Sequence, residues 1–164
     1  MNEIKQAMHE GVNSYNAENH ESNLQLARSA GLRAAIAIQA EASRLDGTAL
    51  IEKESDIPDF DPDKQYLNWP SGSVVCDDNQ VWTLIQPYDS VTNRQRPGEA
   101  RDRWGLAHTK DPTKAKPYVA PCGTSGVYMK DECCIENDVV YRSIIDDNIW
   151  APSTYPAGWE EVGI

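Results

Sequence analysis

Trp69-Pro70-Ser71-Gly72-Ser73-Val74-Val75-Cys76-Asp77-Asp78-Asn79-Gln80-Val81-Trp82 lies over Tyr128-Met129-Lys130-Asp131-Glu132-Cys133-Cys134-Ile135-Glu136-Asn137-Asp138-Val139-Val140-Tyr141 at a constant spacing of 59 residues. Each copy reads aromatic, turn, short strand, Asp/Asn turn, short strand ending in an aromatic. The acidic-Asn pair tolerates positive φ, so each copy predicts a β-hairpin. Both copies continue through a polar loop to proline and a closing tryptophan: Pro97 and Trp104 in the first, Pro152, Pro156 and Trp159 in the second. A hairpin of this size cannot bury enough surface alone. The closing tryptophan can lie across it as a core, and proline stiffens the return loop. Trp69, Trp82, Trp104, Tyr128, Tyr141 and Trp159 are therefore expected to form the module skeletons.

The chain N-terminal to this repeat has another character. Up to Leu45 there is no proline and no tryptophan, and helix formers dominate. Ile4, Met8, Val12 and Tyr15 recur at three- and four-residue steps. Ser22 or Asn23 is a candidate cap for a second helix. One stripe of that helix runs through Leu24, Ala27, Ala30 or Gly31, Ala34, Ile38 and Leu45, and another through Leu32, Ala35, Ile36 and Ala42. Two apolar stripes point to partner helices in an oligomer, with packing on the chain's own C-terminal half as the alternative. Leu45-Asp46-Gly47 reads as the helix end. The acidic passage with Pro58 and Pro62 reads as an extended linker, and Pro112, Pro117 and Pro121 mark a second. The expected organisation is multi-domain, α plus small all-β. A helical assembly arm spans 1–46, a linker 47–65, a first three-stranded or hairpin module 66–108, a linker 109–125 and a second module 126–164.

Composition excludes several classes of function. The 164 residues carry a net charge of -11 and are 40% hydrophobic. Such a surface repels phosphates, which argues against nucleic acid and anionic membranes as partners. No apolar run reaches a membrane span or a signal peptide, so synthesis in a host cytoplasm is expected. Five Trp and seven Tyr stand against one Phe, a bias toward half-exposed aromatics. Cys76, Cys122, Cys133 and Cys134 contain no CxxC pair and His9, His20 and His108 are scattered, so no metal or other cofactor is expected. The cysteines read as small apolar strand residues. No cleft-flanking carboxylate pair, nucleophile triad or phosphate-cradling glycine loop is recognisable, so no enzyme is expected.

The pattern aromatic-x-x-Gly-x-x-Val, an Asx turn and a distal Pro…Trp resembles the chitin-binding-type carbohydrate-binding module of families 5 and 12. Tyr128 to Val162 is the closer copy; its tail, Asn148-Ile149-Trp150-Ala151-Pro152 through Pro156-Ala157-Gly158-Trp159, is similar to phage-borne examples. The first copy is looser, with a longer loop from Asp89 to Arg103. The resemblance covers residues 57–164. The layout of helix, acidic link and tandem modules also resembles a type of phage and prophage virion protein. That resemblance implies a virion location, in tail, baseplate or fibre, with a capsid decoration or head fibre as the alternative. It implies other virion proteins as partners, a homo-oligomer through the helix, and contact with bacterial surface glycan. The family binds sugars on a row of exposed aromatics. Here the usual platform positions hold Ile144, Ile145, Asp146 and Asp147 in the second copy, and Gln86, Pro87, Tyr88 and Asp89 in the first. Tyr88, Trp150 and Tyr155 remain as carbohydrate-binding candidates, each with packing as its alternative. If they pack instead, the modules are docking units.

Overall fold

The computed structural model describes the backbone from Asn2 to Gly163 and the side chains of Ala17 and of residues 19–163. The chain divides into two compact units, Met1–Ile36 and Ala37–Ile164. Helix α1 runs Asn2–Glu41 without a break at His20–Asn23. The expected cap at Ser22 or Asn23 is not used. Ala, Glu, Gln and Arg carry helix propensity straight through the site, and no proline interrupts it. The expected stripe of Ile4, Met8, Val12 and Tyr15 lies outside the described side chains. Leu26, Leu32 and Ile36 are 64%, 64% and 62% exposed.

The second unit begins on the last turn of α1. Ile38 and Ala42 are buried with Leu50, Ile51, Ile57, Val74, Val81 and Ala107. The C-terminal end of both stripes therefore packs on the β-structure of its own chain. Gln39 reinforces this seam: its Nε2 donates to the Val74 carbonyl at 2.6 Å, and its Oε1 accepts from the Val74 amide at 2.8 Å. A side-chain amide thereby pairs a strand edge as a neighbouring strand would. The expected linker is also partly helical. Asp46 caps a short helix α2, Gly47–Glu52, by accepting from the Ala49 amide at 2.8 Å.

The β-structure comprises β1 Gln65–Tyr66, β2 Val74–Asp77, β3 Gln80–Leu84, β4 Tyr88–Asp89, β5 Trp104–Leu106, β6 Lys116–Pro117, β7 Cys133–Glu136, β8 Val139–Ser143 and β9 Trp159–Glu161, with a one-turn helix α3 at Ser90–Asn93. The sheets have orders β1-β4, β2-β3-β5 and β6-β7-β8-β9. The fold is an N-terminal helix followed by small β modules. Both hairpin turns have positive φ at their two central residues: 49° and 55° at Asp78 and Asn79, 53° and 62° at Asn137 and Asp138. These are the type I′ turns that Asx pairs favour.

The repeat extends to the closing tryptophans. Trp104 pairs with Leu84, and Trp159 with Ser143, at equivalent ladder positions. Gly72 and Asp131 both adopt positive φ and donate to the Leu84 and Ser143 carbonyls at 2.8 Å. Each module also holds a strand segment that the sequence reading assigned to a linker. The Phe60 amide donates to Cys76 O at 2.8 Å beside the parallel bridge Asp59–Cys76, and the Tyr118 amide donates to Ile135 O at 2.8 Å beside parallel β6–β7. Proline is tolerated in these segments because they lie on sheet edges.

The aromatic cores correct the alignment at one position. Phe60 stacks on Tyr66 at 5.5 Å and 11°, and Tyr66 meets Trp104 edge-on at 5.3 Å. Tyr118 stacks on Tyr128 at 5.5 Å and 15°, and Tyr128 meets Trp159 edge-on at 5.2 Å. Asp61 and Val119 amides donate to the Tyr66 and Tyr128 hydroxyls at 2.8 and 3.3 Å. The counterpart of Tyr128 is thus Tyr66 rather than Trp69. Trp69 is half-buried, set edge-on to Tyr66 at 4.9 Å with Lys64 Nζ 4.1 Å over its ring.

The segment 109–125 does not separate the modules. His108 stacks on Tyr128 at 3.7 Å, Lys116 Nζ pairs with Glu54 at 2.6 Å, and Gln80 Nε2 donates to Pro117 O at 2.9 Å. Arg101 donates to Ala120 O and Ser125 O at 3.3 and 3.2 Å. The two modules share one compact unit.

Candidate functional site

The return loop between β8 and β9 carries the exposed aromatics. Asn148 anchors its start. The backbone of Asn148 exchanges two hydrogen bonds with Tyr128, at 2.8 and 3.0 Å. Its buried side chain donates to Ser143 Oγ at 3.0 Å and Gly158 O at 3.1 Å, and accepts from the Trp150 amide at 3.3 Å. The Trp150 carbonyl in turn accepts from Trp159 Nε1 at 3.0 Å. Thr154 and Tyr155 amides both donate to Ala151 O at 2.9 Å. Ser153 donates through its amide and hydroxyl to Glu136 at 2.7 and 3.0 Å, fastening the loop to β7. The loop backbone is held along its length, so little further backbone entropy is lost on meeting a ligand.

Trp150 and Tyr155 are 45% and 41% exposed. Their ring centroids are 5.2 Å apart and the planes meet at 56°. The pair forms a notch rather than a flat platform. Gly158 makes this possible: a Cβ there would stand 2.7 Å from Tyr155 Cδ1. Ile149 is also exposed beside them in the chain. Such a surface offers two aromatic faces for apolar sugar faces or for a protein side chain.

Tyr88 is not available to a ligand. It is buried, lies edge-on to Trp104 at 6.0 Å, and donates its hydroxyl to Gln95 O at 2.7 Å. Its β1–β4 pairing with Tyr66 matches the Tyr128–Asn148 bridge, so it occupies the place of Asn148. The longer first loop forms α3 where the second module carries Trp150. Of the expected skeleton residues, Trp82, Trp104, Tyr128 and Trp159 are buried, while Trp69 and Tyr141 are half-buried. Trp104 Nε1 finds no hydrogen-bond partner among the described residues, in contrast to Trp159.

A cleft of about 820 Å³ runs between the modules, lined by Asp77, Asn79, Arg96, Glu99 and Tyr118. Arg96 binds the buried Asp77 carboxylate through Nε and Nη2, so this cation is already paired. Burial pushes the Cys76 and Cys134 thiols up to about 12 and keeps them protonated. His108 is pushed down to about 4 by burial, with the Arg101 cation adding to the effect. All four cysteines are free, and among the described residues no group of three His, Cys, Asp or Glu is placed to hold a metal. Among the described residues no helix is long and apolar enough to cross a membrane.

The sequence reading missed Asn148 as the anchor of the loop and Arg101 as a buried cation. Carrying the repeat on past Leu84 and Ser143 at constant spacing sets Asn148 against Asp89, one residue from its structural counterpart Tyr88. No family model matches the chain, and no curated protein matches its sequence.

Proposed function

We propose that this protein is a structural and binding component of a phage or phage-derived particle. The N-terminal helix assembles it with further copies of itself, and the second module contacts bacterial surface glycan. Tail, baseplate or fibre is the proposed position. The observation that carries the binding reading is the exposed Trp150–Tyr155 notch on a loop fastened by Asn148, Trp159 and Glu136. Exposed Leu26, Leu32 and Ile36 support the assembly reading. A single sugar contact is weak, and several copies joined through their helices raise avidity without new contacts. Since the two modules share one compact unit, that avidity comes from copies of the chain rather than from a flexible pair of modules.

A pull-down of the full chain on purified bacterial cell-wall glycan tests this. The reading predicts retention of the wild type and loss of retention for Trp150→Ala. Equal retention would move the contact away from the notch. No retention of either would favour the second reading, in which a capsid decoration or head-fibre protein uses its modules for docking alone. Burial of Tyr88 favours that second reading for the first module, which lacks an exposed aromatic on its return loop.

A further inference from the structure

Arg101 is 8% exposed, yet among the described residues it pairs with no carboxylate. Its Nη1 and Nη2 donate to the carbonyls of Ala120 and Ser125, and its Nε has no partner there at all. The Trp82 ring, 5.2 Å away, covers one face. Carbonyls and a ring face compensate a guanidinium only in part, because a buried cation requires an anion and full hydrogen bonding. Burial accordingly lowers its affinity for the proton. In a chain with a net charge of -11, such a lone buried cation is conspicuous.

Arg101 also lines a cleft of about 570 Å³. Nη2 bonds Ser125 and abuts Gly126, both of which line the cleft. Gly126 has φ +73°, and a Cβ there would collide with Nη2, so the missing side chain admits the guanidinium. The turn Cys122–Ser125 forms one wall, closed by reciprocal backbone bonds of 2.9 and 3.0 Å. Ile85 and Gly105 give an apolar side. Gln86 commits its Oε1 to Arg103 at 3.0 Å, which leaves its NH2 to donate. Asp102 stands on the rim, paired with Arg103 Nε at 3.1 Å.

We propose that this cleft is a receptor for a single carboxylate group carried on a sugar ring, as in a uronic acid. Nε is sealed from solvent, so the charge-assisted donors are the second N–H bonds of Arg101 Nη1 and Nη2, which match a planar carboxylate. Ile85 and Gly105 give the ring an apolar surface, and the Gln86 amide reads hydroxyls. Asp102 and the negative surface disfavour polyanions such as phosphorylated polymers. The choice of a sugar as carrier rests on the glycan-contact reading above, whereas the cleft and its cation are independent of the Trp150 notch.

Cys122 lines the same cleft and is exposed, while Cys76 is half-buried and Cys133 and Cys134 are buried. Alkylation of Cys122 in the full chain by iodoacetamide, read by mass spectrometry, therefore reports occupancy. Glucuronate at about ten times its Kd is expected to slow labelling about tenfold by mass action. Glucose is expected to have no effect, and acetate a much smaller one at equal concentration. Thr124→Asp places a fixed carboxylate on the exposed rim and is expected to abolish the protection without changing Tm. Trp150→Ala is expected to retain it, so failure of the notch and failure of this cleft are distinguishable. No protection by glucuronate, equal protection by glucose, or full protection in Thr124→Asp would overturn the proposal. Equal protection by acetate would overturn the assignment to an acidic sugar.

Discussion

Asn148 is the residue on which the notch loop depends most. Asn148→Ala keeps both backbone bonds to Tyr128 but removes three side-chain bonds, to Ser143, Gly158 and the Trp150 amide. At about 1 kcal/mol net for each bond, the loss is about 3 kcal/mol. Part of that is recovered, because Gly158 O still accepts from the Ile144 amide at 3.0 Å and Ser143 Oγ still donates to Ile145 O at 2.8 Å. The expected destabilisation is thus about 2 kcal/mol, read by urea unfolding with unchanged m. Asn148→Asp is the sharper test. It sets a carboxylate, fully buried, against the Gly158 carbonyl and a Ser143 hydroxyl whose proton is committed elsewhere. Its native pKa must rise above the usual value near ~4. A group whose folded pKa is raised favours folding while protonated, below its unfolded pKa, and that contribution is lost as pH rises through the folded value. Asn148→Asp should therefore be less stable than Asn148→Ala at neutral pH and approach it on acidification. Equal stability of the two variants at neutral pH, or a gap that widens in acid, would refute the hydrogen-bond assignment.

The two closing tryptophans should respond differently to phenylalanine. Trp159→Phe removes the bond to Trp150 O, whereas Trp104→Phe removes an indole N–H that is already unpaired. Unfolding should show Trp159→Phe to be the costlier by about 1–3 kcal/mol, with similar losses as the contrary result. His108 sets a pH window. Its folded value near 4 lies below the ordinary 6.5, so neutral histidine favours folding above 6.5. As pH falls from 6.5 toward 4 the unfolded chain takes the proton first, and about 3 kcal/mol is lost. His108→Gln should flatten that segment of the stability profile, and an unchanged slope there would count against the assignment. For the arm, light scattering of the full chain should give a multiple of the chain mass. Leu32→Glu with Ile36→Glu should reduce it to one chain without altering the β-unit Tm, and an unchanged oligomer would locate assembly elsewhere.

The hairpins were legible because their signals are local. An Asx pair between β-branched runs forces a type I′ turn, and a fixed repeat spacing doubles the signal. The parallel segments at Asp59-Phe60 and Lys116-Pro117-Tyr118 were not legible as strands. Two or three residues show no periodicity, and their prolines read as linker punctuation. Sliding the repeat upstream would have found them, since Asp59-Phe60 precedes Pro117-Tyr118 by a nearly equal spacing. The sole phenylalanine, Phe60, sits in such a segment as core. A fixed spacing sets Trp69 in the place of Tyr66, because the first copy holds extra residues between its core aromatic and its hairpin. Tyr88 departs from expectation for a related reason. The longer first loop folds into α3, and Tyr88, just after the hairpin, forms an inward-facing bridge. Trp150 and Tyr155 differ because Asn148, a small polar anchor, takes the inward place and leaves the aromatics outside.

The central claim is that the Trp150–Tyr155 notch recognises glycan. A glycan array probed with the full chain, as wild type and as Trp150→Ala and Tyr155→Ala, tests it most directly, with circular dichroism confirming that each variant is folded. The account predicts wild-type binding to a defined class of bacterial glycan, weakened about tenfold or more by either substitution, since one aromatic contact contributes about 1.4 kcal/mol. Binding to neutral glycans, which the Arg101 cleft does not take, that survives both substitutions, or no binding to any glycan, would contradict it.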